Sequence, residues 1–487
     1  MSQKILEERG VFWWHDVPVP PNHFAPENSV VGTLTIQENG AVSLDLDGYF
    51  PTTADGPWAA ILVNGEQFPM EKGIQGKLKA SGRNVLLLGL RRDGGKLSSN
   101  GISHEAFSAS HCLLTDRSFP PANRALKFSA IDVDLSGLEE WLQLGNIEVK
   151  RYRQRVSAKH RLPKPEVYKL DDGTLTMRYE ITAPVGGNFV HRLEKLDLTE
   201  SVNLQFKPLG ARTLLEMRDE YARFQELFIL LTGTTFSLEW PRLRIGKARY
   251  IYYYEGLDRS TKPPAWTDCW VTYPQVKSHF GSIVNALRRK REQFGPGFYL
   301  YMGIRRGMKM YVEHRFVNLI WGLESLHRRK SKDKKNESKL DAKIRRILDQ
   351  VSATRDKEWL AGKLRHAGEP SLQERLVEVL SMLPLGLEPK RLQAFCKSCA
   401  DRRNDISHFG GQREGGQYRD FMIDLVRKSE ALACLYHALL LHEIGVADEF
   451  TKANLLGGAP NAYSSKYALL EAGLLPMPTQ GAGVQGG

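Results

Sequence analysis

The sequence predicts an α+β protein, with a long β-rich, sandwich-like N-terminal region followed by an all-α helical bundle. Three observations lead there. Up to about residue 270, short runs of alternating apolar and polar residues recur between turn signals such as Glu38-Asn39-Gly40, Asn64-Gly65 and Asp171-Asp172-Gly173. Beyond Pro274 the apolar residues fall instead at steps of three and four. The chain has 487 residues, more than one ordinary domain holds. The expected divisions are a β-rich region at 1–270, with subdomains near 1–145 and 146–270, a helical domain at 275–450, and a flexible Gly-rich tail at 451–487.

Residues 1–30, with Trp13, Trp14 and the prolines from Pro18 to Pro21, read as an extended arm. Val31–Ile36 and Val42–Leu46 alternate on either side of a hairpin turn. Further strands are expected at Ala59–Val63, Gly76–Lys79, Asn84–Gly89, Phe107–Leu114 and Leu126–Val133, with Asp93-Gly94-Gly95 as another turn. Many short strands at this spacing suit a β-sandwich or small barrel. Ser136–Leu142 opens on a capping serine and should form a helical turn or two.

Lys150–Arg161 holds six cations in an alternating pattern. It reads either as an RNA-facing strip or as a solvated edge that resists pairing with other strands. Thr174–Ile181 returns from the turn at Asp172. Leu214–Thr232 switches to helical period, with Leu215, Tyr221, Phe224, Leu227, Phe228 and Leu231 as its stripe. Strands resume at Phe236–Leu238 and Ala248–Tyr254. The aromatics from Tyr252 to Tyr273 suit a core or interface, with base stacking as the other reading.

The helical half starts at Pro274. Helices are expected at Val276–Phe294, Phe298–Arg329 (one long helix or a pair), Ser338–Val351, Lys357–Arg365, Leu372–Leu383, Glu388–His408 and Tyr418–Ile444. That is the helix count of a bundle. Phe316, Leu319, Ile320, Leu323 and Leu326 form one core stripe, and His327–Lys335 reads as a basic, mobile connection.

The net charge is +12 and the pI about 9.3. Such a balance suits nucleic acid or another anionic partner, or serves solubility alone. Residues 1–20 contain Glu7, Glu8 and Asp16 and no apolar run, so no secretory leader is expected. Nothing approaches the ~20 apolar residues of a membrane span. Five cysteines in so long a chain do not make a disulfide framework, and a reducing cytoplasm is the expected setting. No Gly-x4-Gly-Lys-Ser/Thr phosphate loop occurs.

The candidate site lies in Ala400–Gly411, the end of a helix whose core face is Leu392, Phe395, Cys396, Cys399 and Ile406. Gly410 and Gly411 end it, because glycine takes the left-handed conformation readily. Arg403 and His408 therefore sit where a packed helix meets an exposed turn. Histidine exchanges protons near neutrality. Arginine holds phosphate with paired hydrogen bonds. Together they suit metal-free RNA cleavage, with the histidine as acid or base and the arginine stabilising the phosphorane. Asn404 can orient either partner. By spacing alone, the same residues also describe a solvated helix end.

Arg403-Asn404-x-x-x-His408 resembles the R-polar-x3-H motif of HEPN ribonucleases. Arg315–Arg328 resembles the early helix of the HEPN domain in ApeA-type anti-phage defence proteins, and the N-terminal region is similar to that family's N-terminal domain. The resemblance implies an abortive-infection endoribonuclease acting on RNA, tRNA being one candidate, with Arg403 and His408 catalytic and Asn404 as the motif's polar residue. It also implies a symmetric homo-oligomer, a phage-derived trigger, no cofactor and no membrane. Arg402 is the second choice of arginine, since only Arg403 is followed by a polar residue. Glu324 becomes a candidate to approach the site and fix the arginine, against its reading as a helix-edge carboxylate.

One other constellation is set by spacing. Cys396-x-x-Cys399 and Cys434-x-x-His437 fall at similar heights if their helices pair antiparallel, and four such ligands suit structural zinc. Against it, zinc cysteines usually sit on turns, and buried cysteine behaves as a small hydrophobe. His437-x4-His442-Glu443 lacks the H-E-x-x-H order of metalloproteases and reads as helix surface.

Overall fold

The structure is a computed structural model and describes residues 3–50, 66–96, 103–183, 197–256, 262–330, 339–364, 369–411 and 417–477. The chain forms two compact units: Met1–Glu226 with Thr235–Pro264, and Leu227–Thr234 with Ala265–Gly487. The strand expected at Ala59–Val63, the turn at Asn64-Gly65 and the end of the tail lie outside the described residues.

The first unit opens with β1 (Lys4–Trp14), β2 (Val30–Gln37), β3 (Val42–Leu46), β4 (Ile74–Leu78), β5 (Asn84–Lys96) and β6 (His104–Thr115). Each pairs antiparallel with two of the others, in the cycle β1-β2-β3-β6-β5-β4 and back to β1. The sheet is therefore closed into a six-stranded barrel, one of the two arrangements that the strand spacing suits. Alternation aims one side of each strand inward. Phe12, Leu34, Ile36, Val42, Leu44, Leu46, Val85, Leu87 and Phe107 fill the interior.

β1 was expected to be an arm, because Glu7-Glu8-Arg9 masks its period. Those charges have partners instead: Glu8 accepts the backbone N–H groups of Ala80 and Ser81, and Arg9 pairs with Asp47. Gly10 is needed there, since a Cβ would stand 2.6 Å from the Lys77 carbonyl oxygen. Asp93-Gly94-Gly95, expected as a turn, continues β5 across a register shift between Arg92 and Gly94. Glycines within a strand commonly mark such a bulge.

The chain continues through β7 (Ala130–Asp134), β8 (Ile147–Tyr152), β9 (Arg155–His160), β10 (Glu166–Leu170), β11 (Gly173–Thr182), β12 (Thr199–Pro208), helix α1 (Leu214–Thr232), of which the part from Leu227 belongs to the second unit, β13 (Arg242–Ile245) and β14 (Ala248–Tyr254). Six of these strands make a sheet ordered β10-β11-β12-β7-β13-β14, joined to the barrel where β14 pairs with β6. Leu175, Met177, Leu204, Phe206, Ile131 and Val133 are buried on it. Phe206 meets Phe224 of α1 edge-on at 6.3 Å. Phe236–Leu238 is not a strand, because its backbone bonds to a side chain: the Leu238 N–H donates to Gln225 and the Phe236 carbonyl accepts from it.

The second unit is helical: α2 (Phe280–Phe294), α3 (Pro296–Arg305), α4 (Val312–Lys330), α5 (Lys339–Asp349), α6 (Thr354–Leu364), α7 (Leu372–Leu380), α8 (Pro389–Phe409), α9 (Tyr418–Glu443), α10 (Asp448–Leu456) and α11 (Ala462–Glu471). Phe298–Arg329 resolves into a pair, α3 and α4, broken near Gly307, which has a positive φ of 89°. The expected stripe Phe316, Leu319, Ile320, Leu323 and Leu326 is buried. α4 packs against α3, α7, α8 and α9. Its approach to α3 is close enough that a Cβ on Gly297 would meet the Gly322 Cα at 2.1 Å. The segment expected as a tail from 451 carries α10 and α11, anchored by buried Leu455, Leu469 and Leu474.

Candidate functional site

α8 carries the motif. Pro389 occupies its first turn, where the missing N–H costs nothing. Leu392, Phe395, Cys396 and Cys399 bury one face, while Ile406 is half-buried. Gly410 ends the helix in the left-handed conformation at φ 69°, its N–H bonded to the Ile406 carbonyl. His408 lies in the last turn, exposed, and makes no hydrogen bond among the described residues.

The two arginines differ sharply. Arg402 donates Nε to Asp424 of α9 at 2.8 Å, lies 3.5 Å from Asp405, and sits over the Phe421 ring at 5.2 Å. Burial opposes its charge, but the bonds to Asp424 and Asp405 outweigh it and raise its pKa. Burial likewise pushes Asp424 up, yet the bonds from Lys428 and Arg402 outweigh that and hold its carboxyl low. Arg403 is half-buried and has no carboxylate partner among the described residues. Its Nε is buried without a hydrogen bond, and Nη1 reaches only the Asn404 side-chain oxygen at 3.3 Å.

Helix geometry relates these groups. Five residues of α-helix turn His408 about 140° from Arg403 and carry it about 7.5 Å along the axis. Asn404, four residues before His408, shares its face. Asn404 therefore stands between the arginine it touches and the histidine above it. The arrangement can hold a phosphate on the uncommitted Arg403 edge, with His408 open to solvent for proton transfer.

Glu324 is placed elsewhere in the contact network. It pairs with Arg328 at 3.0 Å and Arg375 at 4.0 Å, and both arginines also reach Glu369. Its described partners do not include Arg402 or Arg403.

The four residues weighed as a zinc set have other surroundings among the described residues. The His437 Nδ1 is bonded to the Tyr301 hydroxyl at 2.8 Å and Nε2 to the Leu230 carbonyl at 2.9 Å, which leaves no nitrogen for a metal. Burial pushes the Cys396 thiol up to about 12, and raises Cys399 and Cys434 as well, as suits cysteines packed as small hydrophobes. Among the described residues no group of histidines, cysteines and carboxylates is set to hold a metal. Nor is the His437–Glu443 stretch plain helix surface: His437 and Glu443 are buried, and Glu443 pairs with Lys290 and Lys330.

Asp424, Lys428 and Phe421, which fix Arg402, are the contributors that reading of the motif missed. A signal was present: positions 421, 424, 425 and 428 share one face of α9, an acid and a base among apolar residues.

No described helix is long and apolar enough to cross a membrane. Comparison with curated proteins and with solved structures gave no match. Residues 317–450 match the family model described as Apea-like HEPN. Residues 7–287 match the model described as ApeA N-terminal domain 1. The second match alone spans more than half of the sequence, and the chain belongs to the ApeA family, with its HEPN domain in the C-terminal helical unit.

Proposed function

We propose that this protein is an anti-phage effector whose HEPN domain cuts RNA without a metal. One observation carries the reading. Of two adjacent arginines, Arg402 is committed to Asp424, while Arg403 has no carboxylate partner among the described residues and stands beside Asn404 and before an exposed His408. An arginine tied to a carboxylate is neutralised where it stands, whereas one without such a partner keeps its charge for an anion.

In the proposed step the ribose 2′-hydroxyl attacks the adjacent phosphorus. The 2′-O–P bond forms, the P–O5′ bond breaks, and the products end in a 2′,3′-cyclic phosphate and a 5′-hydroxyl. Protons move from the 2′-oxygen to a base and from an acid to the 5′-oxygen. Arg403 holds the charge that builds on the phosphorane, and Asn404 orients Arg403. His408 serves one proton transfer and the other needs a second group. The angular separation of Arg403 and His408 favours a site completed by a second copy, with two motifs facing each other in a symmetric homodimer. The basic chain, at +12, suits an RNA substrate such as tRNA.

The test is cleavage of total tRNA in excess EDTA by the parent and by His408→Ala. Cutting by the parent alone, with cyclic-phosphate ends, is the expected result. Equal cutting by both proteins would refute the assignment of His408. RNA retention without cutting, in infected-cell extract as well as in buffer, would favour a non-catalytic RNA-binding HEPN module.

A further inference from the structure

The β8–β9 hairpin stands apart from the twelve-stranded sheet as a two-stranded sheet of its own. Its register pairs Ile147 with His160, Val149 with Ala158 and Arg151 with Val156. It pairs Glu148 with Lys159, Lys150 with Ser157 and Tyr152 with Arg155 in the alternate rows. Opposed residues share a face and successive rows alternate. The hairpin therefore sorts its side chains. One face is mainly apolar. The other carries Lys159, Lys150 and Arg155 in successive rows, about 7 Å apart by strand geometry, with one acid among them, Glu148, opposite Lys159 and 3.8 Å from Lys150.

Both faces meet solvent: Val149 is 60% and Val156 66% exposed, and every lysine and arginine of the hairpin is exposed. Such a hairpin is marginal by itself in water. Its root is tied down, because Asn146 donates to Glu200 of β12 from both backbone and side chain, and His160 lies 3.7 Å from the same carboxylate. From Glu148 to Arg161 the segment has six lysines and arginines and one glutamate. Near the tip the Arg155 guanidinium lies over the Tyr152 ring at 4.6 Å.

We propose that β8–β9 is an RNA-binding arm, which lays its row of cations along a phosphate backbone and offers the Tyr152–Arg155 pair to an unpaired base. The proposal rests on the reading of RNA as the substrate. Cations at regular intervals next to an exposed aromatic match a chain of regular negative charge with stackable bases. A protein-docking face is typically depleted in charge at its centre, and the row of Lys159, Lys150 and Arg155 is not.

The experiment uses the full-length His408→Ala chain, so that bound RNA is not consumed. Its affinity for fluorescently labelled tRNA is measured by anisotropy at several salt concentrations. The same chain carrying Lys150→Ala, Arg155→Ala and Lys159→Ala should bind at least about tenfold more weakly, with a salt slope shallower by roughly two to three. Tyr152→Ala should weaken binding about fivefold or more without changing the slope. Lys150→Arg with Lys159→Arg should retain both affinity and slope, which separates charge from folding. If the alanine triple binds RNA with unchanged affinity and slope, the arm proposal falls while the nuclease reading stands. If Val149→Glu alters the oligomer mass while the alanine triple leaves RNA affinity unchanged, the hairpin is a protein interface and the proposal is overturned. If the His408→Ala chain binds no RNA and the parent cuts none, both readings fall.

Discussion

Arg402 and Asp424 are joined between α8 and α9, Nε to Oδ2, at 2.8 Å. Lys428 reaches the other oxygen of the same carboxylate. One carboxylate thus spans two cations, and this lock fixes the backbone that carries Arg403.

We predict that Asp424→Asn destabilises the helical unit by about 1–3 kcal/mol, a range discounted from buried pairs because Arg402 is partly exposed. Asp424 has a lowered folded pKa, so its contribution is present above the unfolded value near ~3.9 and is lost as pH falls through the folded one. Urea midpoints from pH 7 down to pH 3 should show a steeper acid decline in the parent than in Asp424→Asn. Parallel curves would remove the lock.

Arg403→Ala should abolish cleavage by roughly a hundredfold or more, the usual effect of losing a transition-state charge donor. Its stability should stay within about 0.5 kcal/mol of the parent, since Arg403 has no ion-pair partner among the described residues. Arg402→Ala should do the reverse in its first effect and lower the melting temperature. The comparison is a pair of melts beside a pair of cleavage time courses. Equal losses of activity and stability in the two variants would contradict the division of roles.

His437 gives a prediction with a defined pH window. Burial pushes its imidazole down to about 3, with the Arg305 charge adding to the effect and the Leu230 bond opposing it. An unfolded histidine titrates near ~6.5. Its stabilising contribution is therefore complete above that value and declines as pH falls toward 3, by at most about 1.4 kcal/mol per pH unit. Between pH 7.5 and 5 the parent's urea midpoint should fall more than that of His437→Gln. EDTA should move neither midpoint, and an EDTA shift would reopen the question of zinc.

Gly322→Ala should cost about 1–3 kcal/mol, because its Cβ would stand 2.6 Å from the Tyr436 ring and drive α4 from α9. Ser325→Ala on the same helix supplies a control for helix propensity. Loss of stability in Gly322→Ala alone, read from urea melts, is the expected pattern.

Much of the fold was legible. The helices at Leu214–Thr232 and Tyr418–Glu443 and the strand Ala248–Tyr254 follow from apolar period almost to the residue. β1 was not legible, because its outward charges are satisfied by Asp47 and by backbone at Ala80 and Ser81, distant in sequence. The choice between sandwich and small barrel stayed open for a similar reason: closure depends on β4 reaching β1, and pairing leaves no local mark. At the motif, the residue types stood out and Arg403 ranked ahead of Arg402, but the physical partition between them did not show. That partition is set by Asp424, on the next helix.

β6 ties the N-terminal unit together. On one side its first half is hydrogen-bonded to β3 and its second half to β14, while β5 runs along its other side. No cut of the chain near residue 145 respects that arrangement. A fragment ending there would leave β6 with half an edge bare and β7 without either neighbour, an invitation to aggregate. Barrel and open sheet share a strand and should melt as one cooperative block, so a partner bound to either would stabilise both.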